Sequence, residues 1–173
     1  VKELWLELTD ENSTAVHKEK PEFQKRTLSF DFPAFGETFH SMQITVTELK
    51  FTKQNEYRVW IDPFTAPIDY NASSIRCFDN GLRFTVTWVV KVRGIPFGAY
   101  FTFQTTLYRT GDVAFVYKRV SSSYNILSGF VDYFNRNTYS LNRTVDLTDV
   151  TISNWTAIYL KPRLTCLNHK DCH

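Results

Sequence analysis

From Leu82 to Tyr108, polar and apolar positions largely alternate with a period of two. Leu82, Phe84, Val86, Trp88, Val90 and Val92 fall on one side of the first run, and Arg83, Thr85, Thr87, Lys91 and Arg93 on the other, with Val89 the exception. Side chains alternate across a β-strand, so the pattern predicts a half-buried strand with one wet face. The three- and four-residue spacing of an amphipathic helix is absent. Asp79-Asn80-Gly81 precedes the strand, and Asn-Gly supplies the two positive-φ residues of a type I′ hairpin turn. Gly94-Ile95-Pro96-Phe97-Gly98 interrupts the pattern. Tyr100 to Tyr108 resumes it, Thr110-Gly111-Asp112 turns the chain, and Val113 to Tyr117 follows. The whole stretch predicts a β-meander.

Other segments read as shorter strands. Thr27 to Phe32 is one, with Pro33 as its stop. Gln43 to Phe51 and Tyr57 to Ile61 follow, and Asp62-Pro63 and Ala66-Pro67 break what comes next. Ser74 to Phe78 leads into the Asn-Gly turn. Leu127 to Phe134 and Val145 to Ile152 are weaker candidates, and Trp155 to Leu160 is the last, ended by Pro162. Residues 1–8 mix apolar and charged positions, as a strand or a docking segment would. Residues 9–26 read as a polar loop or exposed arm. Many short strands between turns predict an all-β, mainly antiparallel, two-layer sandwich.

The chain has 173 residues, enough for one domain with a sizeable core. Aromatic residues make up 16%, including fifteen Phe and nine Tyr, a mix that suits pleated sheets. The net charge of +2 is too mild to indicate nucleic acid as a partner. No apolar run reaches the length of a membrane helix and no signal-peptide pattern opens the chain. Val1 therefore reads as the start of a mature or trimmed fragment, with any membrane anchor outside it.

Four Asn-x-Ser/Thr sequons, at Asn12, Asn71, Asn142 and Asn154, favour a secreted glycoprotein. The three cysteines are Cys77, Cys166 and Cys172. An odd count in an extracellular chain implies a missing partner, a free thiol or an intermolecular bridge. Cys77 is read as a buried free thiol, with an interchain bridge or a bond to Cys166 or Cys172 as the alternatives.

Catalytic motifs are absent. No nucleophile elbow, P-loop, dinucleotide fingerprint or His-Glu-x-x-His helix occurs. Cys166, His169, Cys172 and His173 fit zinc spacing poorly and read better as the start of a disulfide framework. Asp62, Asp69, Asp79 and Asp132 are scattered, and Asp79 reads as a turn former. Asp146 and Asp149 are candidates for a cap or a weak cation site, against a plain solvated loop. Trp60, Trp88 and Trp155 are expected in the core, while Trp5 is left open. Catalytic, cofactor-binding and metal-binding residues are thus assigned to none.

Phe101-Thr102-Phe103-Gln104-Thr105-Thr106-Leu107, the Gly-Asp turn and Val113-Ala114-Phe115-Val116-Tyr117 resemble the heart of a nidogen-type (NIDO) domain. Leu28 to Phe39 adds a second match. Leu4-Trp5, Phe78-Asp79-Asn80-Gly81 and Ile152 to Ala157, with Pro162 to Leu167, resemble in order the ectodomain of the plexin domain-containing family. The family pattern departs at Thr47 to Lys50 and at Cys77, so no ligand-binding residue is carried over.

The resemblance implies three parts: an N-terminal segment and charged arm at 1–26, a NIDO-like domain at 27–163, and the start of a cysteine-rich plexin–semaphorin–integrin (PSI) repeat at 164–173. It implies that Cys166 and Cys172 bond to cysteines further downstream. It also implies a single-pass cell-surface parent on the extracellular side of the plasma membrane. Nidogen of the basement membrane and pigment epithelium-derived factor are the implied partners. A carbohydrate-binding module and a glycosidase-like enzyme are the competing readings.

Overall fold

The alternating run around Trp88 forms an inner strand of a six-stranded antiparallel sheet, which packs on a second sheet of six. A computed structural model describes residues 1–16, 24–95, 100–121 and 128–162. These residues form twelve strands: β1 (Thr14–Ala15), β2 (Gln24–Ala34), β3 (Glu37–Ile44), β4 (Leu49–Lys53), β5 (Tyr57–Thr65), β6 (Ile68–Asp79), β7 (Arg83–Val92), β8 (Tyr100–Tyr108), β9 (Val113–Arg119), β10 (Ser128–Asn135), β11 (Ser140–Asp146) and β12 (Thr156–Leu160). The first sheet has the order β1-β6-β7-β8-β9-β12 and the second β11-β10-β5-β4-β3-β2. The all-β, antiparallel, two-layer sandwich is therefore as the sequence predicts, and β6 to β9 form the meander.

Aromatic rings fill the interlayer space. Trp88 stacks on Phe103 at 5.3 Å, and Phe64 of the second sheet meets Phe101 and Phe103 at 5.0 Å each. Two polar bolts cross between the layers: Trp88 Nε1 donates to Thr45 O at 2.8 Å, and Tyr117 OH donates to Pro63 O at 2.5 Å. Each gives a buried donor its acceptor, which avoids the cost of an unpaired polar group.

Several local expectations give way to tertiary context. The β6–β7 hairpin is not type I′: of its loop residues only Gly81 has positive φ, at 82°. Asn80 Oδ1 instead accepts the amides of Leu82 and Arg83, and Asp79 Oδ1 that of Gly81. Leu82 consequently sits in the loop, exposed. Pro33 does not stop its strand. β2 is an edge strand, where a missing N–H is tolerated, and Pro33 pairs with Thr38. The predicted strand at 43–51 is split by a turn in which Thr45 Oγ1 accepts the amides of Thr47 and Glu48. The predicted strand at 145–152 ends at Asp146, whose carboxylate accepts the Thr148 amide and hydroxyl. Asp146 is thus a turn former.

The outward side of β7 is not wet at its centre. Thr85, Thr87, Gln104, Thr106, Ala114 and Val116 are all buried, although the register points them away from the core. Residues 1–16 explain this, because they cross that face as a strap. Gln104 acts as a surrogate strand: its Oε1 accepts the Leu6 amide at 3.0 Å, and its Nε2 donates to Leu6 O at 2.8 Å. Arg76 holds the far end through Ser13 Oγ (2.7 Å), Thr9 O (3.1 Å) and Asp10 (2.8 Å), and β1 then pairs with β6. The strap belongs to the sandwich rather than to a separate arm, and β2 begins at Gln24 rather than Thr27.

Gln104→Leu removes both partners of Leu6. Amide exchange across residues 4–8 is expected to accelerate about tenfold or more, with a global loss of about 1–3 kcal/mol. Unchanged exchange at Leu6, measured by hydrogen–deuterium mass spectrometry, would contradict this role.

Candidate binding surface

At one end of the second sheet the core-facing rows of β5 and β10 run on past the packed interior. Tyr57 continues the row of Val59 and Ile61, and Tyr133 that of Val131. β3 holds β4 through only two residue pairs, Gln43 with Lys50 and Ile44 with Leu49. The β2–β3 hairpin is thereby free to diverge from its sheet. Its tip swings over and lays Phe35 on Tyr133, with ring centroids 4.7 Å apart and planes within 9°. Four strand spacings would otherwise separate β2 from β10, roughly 19 Å. Tyr57 lies 6.4 Å from Tyr133 with planes within 5°.

Three turns meet at this end: Phe35–Gly36, residues 54–56 and residues 136–139. Arg136 N donates to Glu56 O at 2.7 Å, and Asn137 Nδ2 reaches Tyr57 OH at 3.4 Å. Phe35 is 39% exposed and Tyr139 81%. Lys53 pairs with Glu37 at 2.6 Å. Partial burial pushes the Tyr133 hydroxyl above its ordinary range, and the neighbouring Tyr57 and Glu37 push the same way.

A second aromatic cluster lies where the strap begins. Trp5 meets Trp155 edge to face at 6.1 Å, and Lys118 stands over both rings at 5.1 and 5.9 Å. Trp5 Nε1 donates to Glu7 at 2.7 Å, and that bond, with Lys118 beside it, holds the Glu7 carboxyl below its usual range. These groups satisfy one another and fasten the strap. Trp155 is thus at the surface rather than in the core, with φ at 61°, and Trp60 is likewise only half-buried. Trp88 alone of the three is a core residue as expected.

An open cavity of about 440 Å³ lies beside β1, lined in part by Glu11, Arg26, Cys77, Asp79 and Phe84. Cys77 is buried and unpaired among the described residues, which include no other cysteine. Burial pushes its thiol up, against the opposing pull of the Arg26 guanidinium. Asp79 accepts the Ser29 amide at 2.8 Å as well as the Gly81 amide. It therefore ties the hairpin to β2 besides forming the turn.

Asp132, Asp62 and Asp69 are each engaged by neighbouring groups. Asp132 is held by Arg143 in a two-point contact at 2.9 and 3.1 Å. Asp62 accepts the Phe64 amide and the Thr65 hydroxyl, and burial pushes its carboxyl up to about 8. Asp69 Oδ1 accepts the Asn71 amide. No group of three metal-ligating side chains occurs among the described residues. No described helix is long and apolar enough to cross a membrane.

The four sequon asparagines, Asn12, Asn71, Asn142 and Asn154, are all exposed. Asn12 lies on the strap, Asn71 at the β6 irregularity, Asn142 on the edge strand β11 and Asn154 just before β12. Asn154 Oδ1 accepts the Val120 amide and Asn12 Oδ1 that of Thr9. Cys166 and Cys172, with His169 and His173, lie outside the described residues. The sequence reading missed the aromatic end. Its rings are spread over residues 35, 57, 133 and 139, and no local motif links them. No family model matches this chain, and no solved structure matches it at a significant level.

Proposed function

We propose that this chain is the ligand-binding domain of an extracellular, cell-surface glycoprotein, and that it binds a basement-membrane protein such as nidogen without carrying out chemistry. The observation that carries the reading is the exposure of all four sequon asparagines on a two-layer sandwich with a buried aromatic core. Exposure is what a glycan-bearing asparagine requires, and the sheets beneath offer a rigid scaffold for recognition by turns. The ordered resemblance to the plexin domain-containing ectodomain supplies the partner class. In this reading Cys166 and Cys172 open a PSI repeat, and the membrane span lies outside these residues. Pigment epithelium-derived factor is the alternative ligand.

Titration of the purified, secreted domain over immobilised nidogen is expected to give saturable binding, with other matrix proteins as controls. No binding to nidogen at micromolar concentrations would remove this assignment. A carbohydrate-binding module is the second reading. The near-parallel rings of Phe35, Tyr133 and Tyr57 favour it.

A further inference from the structure

We propose that the aromatic end of the second sheet is a binding site for an uncharged oligosaccharide, with Phe35 and Tyr139 as its contact rings. The inference rests on the carbohydrate-binding reading and gives that reading a place and a ligand class.

Backbone conformation is the first argument. Phe35 has φ at 52° and Tyr139 at 49°. Such left-handed positions normally go to Gly, Asn or Asp, and a bulky side chain there is a genuine outlier. Strain of this kind persists where surrounding structure enforces it, and it concentrates at ligand sites. Folding gains little from Tyr139, because the residue is 81% exposed. Phe35 does stack on Tyr133, yet more than a third of it remains open.

The chemistry of the patch is the second. The apolar C–H face of a pyranose lies well on a flat aromatic surface, where slightly positive hydrogens meet the negative π face. Sugar hydroxyls then need neutral donors and acceptors around the ring. Tyr57 OH and the Asn137 amide stand together at 3.4 Å, and Thr138 and Ser140 hydroxyls lie 2.6 Å apart on the same turn.

Charge decides between ligand types. Glu37 is paired with Lys53, and the turns add one further acid, Glu56, and one base, Arg136. The patch therefore has no net charge with which to select a sulfated or sialylated chain.

The test uses the whole chain, enzymatically deglycosylated, on an array of neutral, sialylated and sulfated oligosaccharides. Phe35→Asn and Tyr139→Asn remove the rings but keep a residue that tolerates positive φ; Tyr139→Asn is expected to melt no lower than the parent, and Phe35→Asn a few degrees lower because it loses the stack on Tyr133. Binding to neutral oligosaccharides that weakens about three- to tenfold in each variant, the size of one aromatic contact, supports the site. Neutral-glycan binding that both variants retain in full overturns the site while leaving the carbohydrate-binding reading standing. Absence of all glycan binding by the parent chain overturns both. Binding confined to sulfated or sialylated glycans overturns the ligand class, as does a variant-sensitive protein partner without any glycan binding.

Discussion

Trp88→Ala is expected to unfold this domain or bring it close to unfolding. Trp88 is fully buried and stacks on Phe103. Truncating a buried Trp costs about 3–5 kcal/mol, against a total stability on the order of 5–15 kcal/mol for a domain. The indole N–H adds a second loss, since half-buried Thr45 O would lose its donor. Trp88→Phe separates the two effects. It keeps a ring against Phe103 but removes the bond, at a cost of about 1–3 kcal/mol. Chemical denaturation should thus rank the parent above Trp88→Phe and Trp88→Phe well above Trp88→Ala. Equal stability of the two variants would show that the interlayer hydrogen bond, and not the packing, dominates.

Asp62→Asn should change the pH dependence of stability. Asp62 sits in the β5 irregularity beside Gly129, and burial raises its folded carboxyl from the ordinary 3.8 to about 8. The Glu48 carboxylate adds to the rise, and Arg143 opposes it. The folded state therefore holds a proton that the unfolded chain releases. Stability from this group is complete below about pH 4 and is lost as the pH climbs toward 8. Asparagine keeps the acceptor for the Phe64 amide and carries no charge. The melting temperature of the parent should fall relative to the variant between pH 5 and pH 9. About 1 kcal/mol corresponds to roughly 2–4 °C in a chain of this size. Parallel curves for the two proteins across that window would contradict the buried, protonated state. Glu48 is itself raised by burial, so Glu48→Gln should reduce the same slope by a smaller amount.

Legibility from sequence varied with how local the cause was. The meander was readable because β7 and β8 alternate within themselves, as strands with one core-facing side do. Thr85 and Thr87 mark where this reasoning stops. Their polarity signals an exposed face, and it is the strap, arriving from nearly eighty residues upstream, that covers them. Gln104 shows the same limit. Its place in the Thr-Phe-Gln strand is legible as a motif, but its task of standing in for a neighbouring strand needs Leu6 beside it.

Turn geometry was less predictable than strand identity. Asn80-Gly81 carries the composition of a type I′ turn, yet the side chains of Asp79 and Asn80 capture the loop amides and select another shape. Trp60 and Trp155 look like core residues by composition. Register puts Trp60 opposite Lys50 and Asp132, away from the interior, and the strap makes Trp155 a clasp.

The amino-acid order by itself determined an antiparallel all-β domain, its meander, the burial of Trp88 and the positions of the four sequons. These follow from neighbours a few residues apart, where side-chain alternation leaves little choice. Only the tertiary structure decided the strap across the outer face, the state of Asp62 and the gathering of Phe35, Tyr57 and Tyr133 at one end. Each depends on segments distant in the chain coming within contact, and no local pattern encodes that distance.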